Sequence, residues 1–374
     1  MKSSLRKVLS LSLALAPVHM LHSARGEKAV SLAPTDIPVT ITHPGHYVFS
    51  GDATVGQTAT NAVTVEADDV DLDLGGHILQ GPGAGSGSGV VQGGSHARLT
   101  VRNGQIGNWG GGSAIEALNA GNQVADITVA HCLNGMDLGA GCVVSNCTVS
   151  EGTRGIKAST AATFLYDTVY QVASVGLQAG DSSIVRGCTV YDSKGGIRAE
   201  GPISIFSGTF YHNDGDGIDV GHDSLLNECS CYKDDNGIRA GTNVTINCCS
   251  CYENRTNGIV ADQDCFITNC SAHANGGDGL VIRQGCKVIG SSGHANHGNG
   301  IRAIAGGNLI QGSVAMDNAA GIRVESGACT IVGNRVGRNA SGNYLLGGTN
   351  DVGKIVSGAD AGTSQTDPRA NLEL

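Results

Sequence analysis

Large aromatic side chains are scarce in this sequence. Of 374 residues, one is Trp, five are Phe and eight are Tyr, so aromatics make up only 4%. So few rings cannot fill one thick globular core over this length, whereas many thin layers of Val, Ile, Leu, Ala and Cys need none. Pro is rare as well, at 7, against 58 Gly. Abundant Gly without Pro excludes collagen and Pro-rich linkers. Positive charge is in short supply: 23 Lys and Arg against 33 Asp and Glu leave a net charge of −10. That balance excludes a nucleic-acid partner, which needs a basic surface. It does not exclude an anionic substrate, because a local basic column or a bound cation reverses the field where it stands.

A long apolar run able to span a bilayer is also missing. The one apolar segment, residues 8–21, is too short and contains Ser10, Ser12, Pro17 and His19. It follows Lys2, Arg6 and Lys7, and small residues at Ala24 and Gly26 come after it. This is the pattern of a signal peptide over residues 1–26. The expected location is secreted, extracellular or periplasmic.

What the sequence does contain is a repeat. A Gly followed by an apolar residue recurs at Gly135, Gly155, Gly176, Gly196, Gly217, Gly237, Gly258, Gly279, Gly300 and Gly321, and Gly342 continues the spacing before Asn343, with every interval 20 or 21 residues. Within each unit, apolar residues alternate with others over runs of three or four, and Asn, Asp and Gly separate the runs. The first feature is strand periodicity and the second is turn chemistry. Three short strands in a unit of this length leave no room for a helix, which excludes a leucine-rich repeat. The fold class is therefore all-β: a right-handed parallel β-helix solenoid with three short strands per coil of 20–21 residues.

In such a coil each strand pairs with its equivalent one unit away, so equivalent positions stack into columns. Three columns are legible. Ile156, Leu177, Ile197, Ile218, Ile238, Ile259, Leu280, Ile301 and Ile322 form one inward column. Cys147, Cys188, Cys229, Cys249 and Cys270 form another, and Tyr170, Tyr191, Tyr211, Tyr232, Tyr252, His273 and His294 a third. Most of the 13 Cys sit at inward positions and read as packing thiols, although Cys249 with Cys270, or Cys265 with Cys286, could be bridged if geometry allows.

On these residues the chain resembles the pectin-lyase-like superfamily of right-handed parallel β-helices, over about residues 40–350. The resemblance implies that the Gly-Ile strand is the first of three and that a tight turn carrying Asn, at Asn146, Asn227, Asn247 and Asn269, separates the second from the third. Residues 27–350 are expected to form the solenoid, with irregular first coils, and residues 351–374 a C-terminal cap and tail. In enzymes of this superfamily the substrate groove runs along the outer face of the first strand.

The outward residues of that strand are Lys157, Gln178, Arg198, Asp219, Arg239, Val260, Val281, Arg302 and Arg323. The polar half suits an acidic sugar chain, because Arg pairs with a uronate carboxylate through a fork of donors. The expectation is a carbohydrate-active protein, a polysaccharide lyase or C-5 epimerase acting on uronate polymer. A cation or an Arg would neutralise the carboxylate, Arg198, Arg239 or Lys194 would take the carbon-5 proton, Tyr211 or His212 would act as acid, and Asp219 belongs to the same catalytic group. Lys157, Gln178 and Lys194 would bind substrate. Asp214, Asp216, Asp234 and Asp235 are close enough in sequence to hold Ca²⁺ through oxygen ligands. No other cofactor is expected.

Two alternatives stand beside this reading. Asp216-Gly217-Ile218-Asp219 is similar to the Asn-Thr-Asp-Gly-x-Asp motif of polygalacturonases, with Asp234-Asp235 one coil on. That points to an inverting hydrolase. The pair is offset by one residue, however, and only Gly221-His222 remains of that family's Gly-His-Gly motif. The other alternative is a non-catalytic surface, adhesion or glycan-binding β-helix, favoured because no coil between residues 135 and 342 carries a loop long enough to wall a groove. The partner in these readings is an acidic polysaccharide or a cell-surface glycan, met by a monomer; a purely structural array with no ligand is a further alternative.

Overall fold

The computed structural model describes residues 28–357 and 367–374. The expected signal peptide lies outside the described residues. Every strand pair is parallel, and the strands form two sheets. One sheet has 15 strands, from Val39–Ile41 through Ile218–His222 to Tyr344–Leu346, and carries the first strand of each coil. The other has 30 strands and carries the second and third, such as Leu225–Asn227 and Ser230–Tyr232. The only helical element among the described residues is a 3-10 turn, Pro34–Asp36.

The register is that of stacked equivalents. Ile197 pairs with Ile218, Ile218 with Ile238 and Ile238 with Ile259. All of these are buried, with Val144, Phe164, Val185, Ile205 and Leu226 meeting them from the second strands. The first coils are longer, since the register Val39, Val63, Val90, Ile115 advances by 24, 27 and 25 residues. Trp109 lies buried against them. Strand pairing runs on past residue 350: Asp351–Val352 pairs with Thr330–Val332, and Asn371–Glu373 pairs with both Arg335–Gly337 and Ile355–Ser357.

The repeated Gly has a steric cause. A Cβ on Gly155 would lie 2.1 Å from the carbonyl oxygen of Gly176, and one on Gly196 equally close to that of Gly217. The coils approach so closely here that no side chain fits. The turn between second and third strands uses a left-handed residue in every coil: Asn146, Tyr166, Gly187, Ser207, Glu228, Cys248, Asn269. Asn146 and Asn269 occupy that position, but Asn227 and Asn247 fall one residue earlier, at the ends of second strands. There they stack on each other, the Asn247 amide donating to Asn227 Oδ1 at 2.7 Å.

All 13 Cys are free thiols; Cys248 is exposed and the others are buried. Burial pushes the Cys147 thiol up to about 12. The thiols are core atoms, as their alternation within strands implies. The tyrosine column is a continuous stack. Consecutive rings from Tyr170 to His294 have centroids 4.8–5.0 Å apart and planes within 9° of parallel. The faces of the inner rings cover one another, which leaves only ring edges for solvent and no face on which a sugar could stack.

Candidate functional site

The first-sheet column is built as its register dictates. Lys157 pairs with Gln178, Gln178 with Arg198, Arg198 with Asp219 and Asp219 with Arg239. Each follows a buried Ile or Leu, so each points out of the sheet. Lys157, Gln178 and Arg198 line one shallow depression of about 230 Å³, together with Asp181 and Glu200. Sequence reasoning missed the last two acids. Glu200 lies two residues after Arg198, outward by the same alternation, and that parity was the signal.

The two Arg at the centre of the column are loosely held. Arg198 is 53% exposed, with Glu200 at 3.5 Å and Asp219 at 3.9 Å. Arg239 is 62% exposed and reaches only Asp216, at 4.0 Å. Further along the same column Arg302 is bound at 2.8 Å to Glu325, and Arg323 shares that carboxylate at 3.4 Å. The proximal cations thus keep most of their hydrogen-bonding capacity for a ligand, and the distal ones do not. Partial burial, then the nearby Asp216 carboxylate, hold the Asp219 carboxyl above the ordinary carboxylate range, with Arg198 and Arg239 pulling it back.

The expected acids stand elsewhere. Tyr211 is a middle ring of the aromatic stack on the second sheet, and burial raises its hydroxyl pKa. His212 is the left-handed residue of the following turn, 3.5 Å from Asp192. It lines a second depression, of about 270 Å³, with Lys194, Asp192 and Asp214. No hydrogen bond or ion pair joins Tyr211 or His212 to Arg198, Asp219 or Arg239 among the described residues. The residues expected to form one centre therefore divide into two patches on either side of a turn.

The four carboxylates expected to bind Ca²⁺ do not fit it. Asp234 is 0% exposed and lies inside the solenoid. Asp216 accepts hydrogen bonds from the Asn236 backbone and side-chain amides and belongs to an outer ladder that continues through Asn257 and Asp278 to Asn299. Asp235 accepts from the Thr256 hydroxyl, and Asp214 lies 3.9 Å from Arg255. Among the described residues no three His, Cys, Asp or Glu side chains converge on a point. A cluster in sequence became a column of neighbours spread around the coil, because successive residues of a turn face different ways.

The family model described as "Right handed beta helix region" matches residues 156–308. No curated protein matches the sequence. Among solved structures, the periplasmic alginate epimerase AlgG is 13% identical, with 74% of this chain and 76% of that one covered at a TM-score of 0.46. The A-module of the Azotobacter vinelandii mannuronan C-5 epimerase AlgE6 is 15% identical, over 93% and 90% of the two chains, at 0.39. A mannuronic acid specific family 6 polysaccharide lyase from human gut microbiota is 12% identical, over 83% and 86%, at 0.44. At these identities and scores no chemistry carries over from them. Among the described residues no helix is long and apolar enough to cross a membrane. The repeat, the two parallel sheets and the matched family model together identify the chain as a right-handed parallel β-helix repeat protein.

Proposed function

We propose that this is an exported, carbohydrate-active β-helix that binds an acidic polysaccharide along the outer face of its first sheet, between Lys157 and Arg239. The observation that carries the reading is the spacing of available cations in that column. Lys157, Arg198 and Arg239 occupy every second coil, with Gln178 and Asp219 between them. Coils are stacked about 4.8 Å apart, so the cations recur about every 10 Å. A polymer lying along the solenoid with roughly one sugar per coil would offer each cation a carboxylate, and Arg engages carboxylates bidentately.

The reaction such a face suits is proton removal next to a carboxylate, leading to β-elimination or epimerisation. Arg198 and Arg239 would neutralise the uronate carboxylate and acidify the carbon-5 proton. Neither is the base, because a guanidinium keeps its proton in a protein. Asp219, between them, is the group able to accept one. Incubating the protein with polyuronates and following the absorbance of the unsaturated sugar tests the lyase branch, and proton exchange at carbon 5 tests the epimerase branch. Turnover that Asp219→Ala abolishes supports the assignment; turnover untouched by Asp219→Ala, Arg198→Ala and Arg239→Ala removes it.

Binding without turnover is the second reading. It is favoured by one observation: the expected acids, Tyr211 and His212, lie on the far side of the turn from Asp219. Under it, polyuronate binds to the wild type and no product forms.

A further inference from the structure

Below the tyrosine stack runs an inner ladder of amides. Asn213, Asp234, Asn254, Asn275, Asn296, Asn318 and Asn339 each follow the left-handed turn residue after the third strand. From Asn213 to Asn318 each backbone N–H in the ladder donates to the side-chain oxygen one coil on: Asn213 to Asp234 Oδ1 at 2.8 Å, Asp234 to Asn254 Oδ1 at 3.1 Å, Asn254 to Asn275 Oδ1 at 3.1 Å. Each Asn Nδ2 donates twice. Asn254 Nδ2 reaches Asn275 Oδ1 and the Cys231 carbonyl, and Asn275 Nδ2 reaches Asn296 Oδ1 and the Cys251 carbonyl. Asn213 Nδ2 likewise reaches Asp234 Oδ1 and the Val190 carbonyl.

Position 234 breaks the rule. An oxygen stands where every other ladder member from 213 to 339 has an amide nitrogen. By register its partners would be Asn254 Oδ1 and the carbonyl of Phe210, the equivalent of Val190 and Cys231. Both are acceptors, and Asp234 Oδ2 is buried with no hydrogen-bond partner at all. A carboxylate oxygen there would be desolvated among acceptors, which is costly. A carboxylic acid would donate its O–H into the gap and complete the ladder.

We propose that Asp234 is a buried acid that keeps its proton in the folded protein and makes the coil beside the Lys194–His212–Asp214 patch pH-sensitive. The surrounding charges do not overturn this. Arg255, in the next coil, favours the ionised form and Asp216 opposes it. Cys231, packed beside it, is neutral, its own thiol raised by burial and by Cys251. His212, Lys233 and Glu253 sit in the turn positions just before the ladder and are exposed, as is Asp214 in the loop after it. Burial, countered only in part by the Asn213 amides, pushes the Asp234 carboxyl up to about 7.

The sign follows from linkage. The folded-state value is raised above an unfolded value of about 4. The proton's contribution to stability is therefore fully present below about pH 4 and is lost as pH rises through about 7. Asp167 is raised to about 7 as well, also by burial, so the test must isolate position 234. Asp234→Asn supplies the missing amide and nothing else. The melting temperature of D234N minus that of the wild type, measured from pH 4 to pH 8.5, is expected to start near zero, grow as pH rises, and level off above pH 7 at about 6 °C. The infrared spectrum of the wild type at pH 6 is expected to show a protonated-carboxyl stretch that D234N lacks. A flat difference curve, no lost band, or a D234N chain that fails to fold would each overturn the proposal, since an Asn completing the ladder is the better-fitting residue.

Discussion

Cys249 and Cys251 show how much of this molecule is decided one side chain at a time. Both are buried, and Cys251 stacks in register on Cys231. The intervening Ser250 points out. A small thiol fits where adjacent coils leave little volume, and burial keeps it protonated and unreactive. Cys248 is the exception, exposed in the left-handed turn. A thiol reagent is expected to modify about one Cys in the native protein and all 13 after unfolding. Several fast-reacting thiols in the native state would contradict the packing role. The inward apolar column makes a complementary claim: Ile238→Ala, at a fully buried site, is expected to cost about 2–5 kcal/mol in chemical denaturation.

At the scale of the coil, the controlling feature is how closely neighbouring strands approach. Gly196 faces the Gly217 carbonyl so tightly that Gly196→Val must push two coils apart. The expected cost is about 2–3 kcal/mol, seen as a lower denaturation midpoint, with the loss confined to neighbouring coils by hydrogen exchange. The aromatic stack has the same pitch. Tyr232→Ala removes two ring contacts and should cost about 1–2 kcal/mol. Coil-scale order was legible in the sequence because stacking turns a spacing into a contact: the Gly anchors, the Ile column and the tyrosine column all survive in the structure. The inner ladder was equally present, as Asn or Asp two residues after Tyr211, Tyr232, Tyr252, His273 and His294 of the stack, but polar residues near turns read as solvent-exposed. The candidate site was legible only in part. Outward parity placed Lys157, Gln178, Arg198, Asp219 and Arg239 in one line. Sequence proximity misled for Tyr211, His212 and Asp234, because a turn of five or six residues sends neighbours to different faces and one of them to the interior.

For the whole molecule, an even solenoid means an even surface. Beyond the first coils no insertion raises a wall, so the first-sheet face is open along its length and function depends on which charges remain unpaired. The distal Arg302 and Arg323 are already neutralised by Glu325, while Lys157, Arg198 and Arg239 are held at 3.5 Å or more from their acidic neighbours. A net charge of −10 would repel a polyanion everywhere else, so the proposed binding is expected to be local and sensitive to salt. The most direct measurement is a calorimetric titration of polyuronate into the wild type and into an Arg198→Ala/Arg239→Ala double variant, with a neutral glucan as control. The proximal column predicts salt-sensitive binding of polyuronate alone, weakened by about a hundredfold in the double variant, or about tenfold per guanidinium. Equal affinity in wild type and variant, or equal affinity for the neutral glucan, would contradict it.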